Sequence, residues 1–173
     1  MQTVLITGSS SGIGRYTAYR FAENTDSLIL TFYEDKKEIE STRNRCVELG
    51  ARDVKIYQLD MSDDESITRF VSGLKDEKQD IDILINNAAT IVWKPLAQHT
   101  LQEIVSQMRV NLEGTIKLTW HLLPLLKNMV INMGSRMGKF ARPDLLVYCA
   151  TKFGLRGFTQ AFAQSNQNSL SIA

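Results

Sequence analysis

Short apolar runs alternate with amphipathic stretches along this chain, and that alternation limits the fold more than any other feature. "TVLITG" is apolar and ends in glycine, which predicts a buried strand. "GIGRYTAYRFAEN" predicts a helix, and "SLILTFY" a second buried strand. "DKKEIESTRNRCVELG" starts at Asp35, is amphipathic and stops at Gly50, as a capped helix does. "DVKIYQLD" reads as a third strand. "SDDESITRFVSGL" opens on Ser62 with Glu65 three residues later, a capping-box pattern. "IDILINNA" is a fourth strand. Thr100 and Glu103 repeat the capping-box pattern and start a long helix toward Leu126. "MVINMGS" is a fifth strand, "LLVYCATKFGLRGFTQAFAQ" a helix, and "LSIA" the start of a sixth strand.

Strands that are apolar throughout need cover on both faces. Joined through helices, they imply right-handed crossovers and a parallel sheet. The expected fold is therefore α/β, a doubly wound parallel sheet, in a single domain over residues 1–173 with no linker or repeat. Ligands on such sheets sit beyond the strand carboxyl ends, where the winding direction reverses. Residues at strand ends are thus the candidates for function.

A chain of 173 residues is long enough to bury the core of one such domain. Its net charge is +1, with acids and bases mixed, so no basic stripe points to nucleic acid or a membrane surface. No apolar run approaches the roughly 18 residues of a membrane span, and "MQTVLITG" lacks the pattern of a signal peptide. Cys46 and Cys149 are too few for a disulfide framework, and neither they nor His99 and His121 have metal-ligand spacing. The expectation is a reducing, cytoplasmic setting and no metal.

"TGSSSGIG", Thr7 to Gly14, lies between the first strand and the first helix. Glycines there let backbone approach a pyrophosphate, and a helix N-terminus offers unpaired N–H groups and partial positive charge. The spacing is G-x-x-x-G-x-G rather than the commoner G-x-G-x-x-G. On its own the segment could equally serve as a tight strand-to-helix turn.

Other residues fall in register with this loop. Asp60 follows the third strand, Asn86-Asn87-Ala88 the fourth, and Asn111 stands in "VNLEG". Ser135 follows the fifth strand, and Tyr148-x-x-x-Lys152 comes after it. In order and spacing this set resembles the short-chain dehydrogenase/reductase family, from residue 3 to the end. The resemblance implies a Rossmann fold and an NAD(P)-dependent oxidoreductase acting on a small-molecule carbonyl or secondary alcohol. It implies Asn111, Ser135, Tyr148 and Lys152 as catalytic residues. It places the cofactor against Gly8, Ser10, Ser11, Gly12, Ile13 and Gly14, against Tyr33, Asp60 and Met61, and against Asn87, Ala88, Tyr148 and Lys152. Asn86 is expected to knit neighbouring strand ends.

Three departures stand out. Ala89 replaces the glycine that usually follows Asn-Asn-Ala, which is tolerable if φ there is negative. "LLKNMVINMGS" joins the long helix to the fifth strand almost without a loop, so either a deletion or a mobile loop is expected there. The chain stops at "SLSIA", where family members continue into a substrate-covering segment; either a disordered remainder or a fragment would account for that.

A phenol has a reference pKa of about 10 and is a poor proton shuttle at neutral pH. Residues four apart on a helix share a face, so Lys152 can bring its charge near the Tyr148 oxygen. At roughly 5 Å and an effective dielectric of about 20, a phenolate gains about 3 kcal/mol. That moves the phenol toward the working pH, where acid–base catalysis is efficient. A lone Tyr-x-x-x-Lys is usually an ordinary helix pair. The surrounding motifs are what give this pair work to do.

The resemblance implies that Tyr148 exchanges the proton, Lys152 holds the nicotinamide ribose, Ser135 positions the substrate oxygen and Asn111 keeps a water behind the lysine. The tip of the second strand, Phe32 or Tyr33, is neither acid nor base. An acid there would select NAD and an arginine NADP; Ser11 stands where some NADP-using members carry a basic residue. The balance leans to NADP over NAD. A non-catalytic nucleotide-binding regulator on the same fold is the alternative. Excess apolar residues on the two long helices imply a homodimer or homotetramer.

Overall fold

The computed structural model describes residues 2–165 and 170–173. Six strands form one parallel sheet: β1 (Thr3–Ile6), β2 (Ser27–Phe32), β3 (Asp53–Gln58), β4 (Ile81–Asn86), β5 (Leu126–Asn132) and β6 (Ser171–Ile172). Their order across the sheet is β3-β2-β1-β4-β5-β6. The winding reverses between β1 and β4, which pair from Val4–Ile83 to Ile6–Ile85. This is the doubly wound arrangement expected from the alternation of runs.

The strands are apolar throughout because both faces are covered. Leu5, Ile29, Leu84 and Val130 point to one face and pack with Ile67, Phe70 and Leu74 of α3 (Asp64–Asp76). Leu118 and Leu122 of α5 (Gly114–Leu122) join that layer. Val4, Ile6, Leu28, Leu30 and Ile85 point to the other face. There they meet Ala18 and Ala22 of α1 (Gly12–Ala22), and Ile39 and Cys46 of α2 (Lys36–Glu48). The period-two alternation is thus present, but with apolar residues in both phases.

Several boundaries differ from the expectation. The cap of α3 is Asp63, not Ser62: its carboxylate accepts from the N–H groups of Glu65 and Ser66 at 3.0 and 3.2 Å. A carboxylate can serve two donors, whereas the Ser62 hydroxyl donates to Asp60 Oδ1 at 2.7 Å. Thr100 and Glu103 do form a reciprocal capping box.

The long helix is not continuous. It divides into α4 (Leu101–Met108), a π-turn over Arg109–Glu113, and α5. A single 3-10 turn, Leu123–Leu125, then leads directly into β5, which starts at Leu126 rather than Met129. The connection is correspondingly short. It is absorbed by an irregular register, with Ile81 opposite Leu126 but Ile83 opposite Met129. The last helix, α6, spans Leu146–Ser165. Ala89 causes no strain, since Lys78 is the one non-glycine residue with positive φ among the described residues.

Candidate active site

A cavity of about 730 Å³ opens beyond the carboxyl ends of β1, β2, β3 and β4, where the winding reverses. That volume suits a ligand of dinucleotide scale. Its floor is the β1–α1 loop. Gly8 and Gly12 have φ of +66° and +52°, a region where side chains are strained. Their conformation turns the chain sharply from strand to helix.

The start of α1 differs from those of α2, α3 and α4. Asp35, Asp63 and Thr100 cap α2, α3 and α4 with their side chains. Ser11, the N-cap of α1, bonds no backbone N–H, and the first turn carries no acid. The leading N–H groups of α1 therefore have no side-chain cap, and the residues around them, Ser10, Ser11, Gly12 and Ile13, line the cavity. An anionic pyrophosphate satisfies such a helix end. By this test the residues present fit a dinucleotide.

Ten of the residues expected at a cofactor line this cavity. Gly8, Ser10, Ser11, Gly12 and Ile13 come from the loop, and Tyr33, Asp60, Met61, Asn87 and Ala88 from the ends of β2, β3 and β4. Gly14 is the exception. A Cβ there would stand 2.3 Å from the Gly8 carbonyl oxygen and 2.4 Å from Asn87 Nδ2. Its lack of a side chain lets α1 pack against the loop and does not itself admit a ligand. Tyr148 and Lys152 also lie off this lining, on α6.

The loop is held by Asn87 together with Thr7, to which the sequence assigns no role. Thr7 is fully buried, and its Oγ1 accepts from the N–H groups of Asn87 and Ala88, each at 2.9 Å. Asn87 returns the link by donating from Nδ2 to the carbonyls of Thr7 and Gly8 at 2.9 and 3.0 Å. These bonds tie the end of β1 to the end of β4 across the switch point. A threonine beside a glycine carries no periodic signal, so only its place before the loop could have flagged it.

Asp60 accepts from the N–H and hydroxyl of Ser62 through Oδ1, at 2.8 and 2.7 Å. It serves as the turn before α3 and as cavity wall at once. At the tip of β2, Tyr33 is exposed, and Glu34 and then Asp60 hold its phenol above the usual range. The neighbouring Arg15 is engaged elsewhere, donating to Glu38 and to the Ser10 carbonyl.

The catalytic candidates gather beside β5. Lys152 is buried, and its Nζ donates to the Met133 carbonyl at 2.7 Å. Burial pushes its pKa below the usual value of 10.5. The same Nζ lies 5.7 Å from the centroid of the Tyr148 ring, as the four-residue spacing requires. Ser135 accepts from the Met137 N–H at 3.1 Å, capping a 3-10 turn over Arg136–Gly138. It shares a hollow of about 250 Å³ with Lys152.

Asn111 sits buried in the π-turn. Its Oδ1 accepts from Thr90 N–H at 2.7 Å, and its Nδ2 donates to the Thr90 carbonyl at 2.8 Å and Thr151 Oγ1 at 3.3 Å. In these contacts Asn111 couples the β4 loop to α6. Asn86 donates to Thr119 Oγ1 and Asn132 Oδ1 at 3.0 and 2.8 Å, knitting β4 to α5 and β5 as expected.

Comparison with known proteins agrees with this geometry. The chain is 37% identical over 164 residues to 17-beta-hydroxysteroid dehydrogenase 13 of Mus musculus, covering 92% of this chain and 53% of that protein. It is 37% identical to estradiol 17-beta-dehydrogenase 11 of Rattus norvegicus, again over 92% of this chain and 54% of the relative. The chain thus spans about half the length of the curated relatives it matches. Among solved structures, a metagenomic short-chain oxidoreductase in complex with NADP superposes with a TM-score of 0.87 at 26% identity, over 96% of this chain and 76% of the other. A short chain dehydrogenase from Shigella flexneri 2a complexed with NADP gives 0.91 at 25%, over 99% and 74%. A family model described as short chain dehydrogenase matches residues 2–170, which takes in the glycine loop, the switch-point cavity and the Tyr148 helix together. The chain belongs to the short-chain dehydrogenase family.

Proposed function

We propose that this protein is an NAD(P)-dependent oxidoreductase that interconverts a carbonyl compound and a secondary alcohol. One observation carries the reading. A dinucleotide-sized cavity with an uncapped helix start lies at the switch point, on the same sheet end as Ser135 and as Lys152, whose Nζ lies beside the Tyr148 ring.

A dinucleotide held against Gly8, Ser10, Ser11, Gly12 and Ile13 would supply the hydride in one direction and accept it in the other. The Ser135 hydroxyl uses its oxygen toward Met137, so its proton is available to hold the substrate oxygen. Tyr148 gives its phenolic proton to that oxygen as the alcohol forms, and removes it in the reverse direction. Lys152 stabilises the phenolate by its charge. Burial in the shelter of α6 strengthens that effect, because water does not screen it. Asn111 keeps the cavity wall at Thr90 in register with α6.

NADP is the first cofactor to test, because two structural neighbours were crystallised with it. Glu34 and Asp60 near Tyr33 are the feature favouring NAD. The relatives' names direct the first substrates: 17β-hydroxysteroids and apolar ketones. Cys46 and Cys149 are free and buried, which suits a reducing compartment such as the cytoplasm. Among the described residues, no helix is long and apolar enough to cross a membrane.

The protein assembles with copies of itself through α4, α5 and α6. Those helices expose Leu101, Val105, Trp120, Leu146 and Phe153. The test of the activity is direct: absorbance of NADPH and of NADH is followed with a panel of ketones and hydroxysteroids. Turnover with either cofactor supports the reading. Cofactor binding without turnover on any substrate would leave a nucleotide-binding regulator instead.

A further inference from the structure

Residues 88–91 after β4 form one wall of the cavity, and the loop continues away from it. The loop is pinned at alternate points. Asn111 holds Thr90, and Lys94 reaches Glu103 at 2.7 Å. Gln107, fully buried, accepts from the Val92 N–H at 3.2 Å. These partners all lie on the segment that follows the loop.

The fourth tie leaves that segment altogether. Trp93 donates its indole N–H to Asp144 Oδ2, on the stretch leading into α6. Asp144 stands four residues ahead of Tyr148. Arg142 completes the group, donating to Asp144 through two nitrogens at 3.0 and 2.8 Å. Its guanidinium carbon sits 4.9 Å from the centroid of the Trp93 ring. Each of the three side chains thus contacts the other two.

Such a cluster is poorly placed to stabilise the core. Trp93 is 61% exposed, and exposed ion pairs contribute only about 0–1 kcal/mol. It is well placed to set a distance. The β4 loop and residues 139–145 leave neighbouring strand ends, and irregular segments need fixed contacts to hold one spacing. A bidentate carboxylate with a third donor supplies such a contact. The same two segments expose Ile91, Trp93 and Phe140 beside Lys139 and Arg142, so the rim they form presents large apolar side chains among basic ones.

We propose that Trp93, Arg142 and Asp144 form a clamp that positions an apolar carbonyl substrate against Tyr148, by holding the β4 loop to the segment that leads into α6. These are positioning residues, and the inference rests on the oxidoreductase reading above. The clamp fixes the gap into which the reacting carbonyl enters.

Three variants of the full protein test it. Trp93→Phe keeps an apolar ring and removes the donor. Asp144→Ala removes the acceptor. Asp144→Asn keeps an acceptor oxygen for the indole. With an apolar ketone, kcat/KM falls about tenfold in Trp93→Phe and in Asp144→Ala, mostly through kcat, as loosened geometry at a reacting centre does. Asp144→Asn recovers to within about threefold of the wild type, and Trp93→Phe/Asp144→Ala is no worse than Asp144→Ala alone, because one contact cannot be lost twice. The dissociation constant of NADPH, read by its fluorescence, stays within about twofold throughout, since the clamp lies off the cofactor lining.

Unchanged kcat/KM in Trp93→Phe overturns the clamp. So do losses that multiply in the double variant, or a parallel loss of NADPH affinity, which marks a merely structural role. A wild type with no turnover on any carbonyl overturns the oxidoreductase reading, and the clamp's role with it. An active wild type with unaffected variants overturns the clamp alone.

Discussion

The ammonium of Lys152 donates to the carbonyl oxygen of Met133 at 2.7 Å, joining α6 to the carboxyl end of β5. Among the described residues no carboxylate forms an ion pair with it, and burial alone lowers its pKa. A buried cation without a counter-charge costs stability. Holding it there is therefore a cost that the rest of the core must offset.

Lys152→Met removes that cost. The variant is expected to be as stable as the wild type or more stable by about 1 kcal/mol, while turnover is lost. The pH dependence has a definite sign. Because the folded pKa lies below 10.5, the unfolded chain holds more protons just below that pH. The lysine's contribution to stability therefore improves as pH rises through its folded pKa. The gap between variant and wild type should narrow in that alkaline window. Urea unfolding at neutral pH and near pH 10 measures it, and a gap that widens would contradict the account.

Tyr148→Phe leaves the cavity lining untouched, since Tyr148 lies outside it. NADPH affinity should stay near the wild-type value. Turnover should fall about a hundred- to ten-thousandfold, the usual worth of one positioned acid. A variant retaining more than about a tenth of the rate would remove Tyr148 from the proton-donor role.

Gly14→Ala places a methyl where 2.3 Å separates it from the Gly8 carbonyl oxygen. Backbone must shift, at about 2–3 kcal/mol. Stability and cofactor affinity should therefore fall together. Loss of affinity at full stability would show that the glycine faces the ligand after all.

The alternation of apolar runs made the sheet legible, because burial on both faces leaves an unbroken signal in β1, β2 and β4. The glycine loop and the Tyr148–Lys152 spacing were equally plain, being local in sequence. What escaped was set by distant partners. The π-turn at Arg109–Glu113 accompanies bonds from Asn111 to Thr90 and Thr151, which no helical period announces. The start of β5 was hidden because Lys127 and Asn128 are polar; they face Asp80 and Asp82 at the end of the sheet. The indole of Trp93 carries no periodic signal of its role, because its partner Asp144 lies 51 residues away.

Thr7 gives the clearest test of a residue that the sequence concealed. It looks like a conservative site for valine, being fully buried between Ile6 and Gly8 in an apolar strand end. Its hydroxyl, however, accepts from both Asn87 and Ala88 N–H groups. Thr7→Val keeps the shape and strands two partly buried donors at the switch point. Each fully buried orphaned donor costs about 1–3 kcal/mol, and these two are only partly buried, so the pair should cost roughly 2–4 kcal/mol. Thr7→Ser keeps the acceptor and loses one methyl, so it should cost less, about 1 kcal/mol. Affinity for NADPH should follow the same order, because the freed strand end carries Ala88 into the cavity wall. Thermal unfolding of the two variants, with and without NADPH, separates the effects. If Thr7→Val proves as stable as Thr7→Ser, the hydroxyl is not what ties β1 to β4.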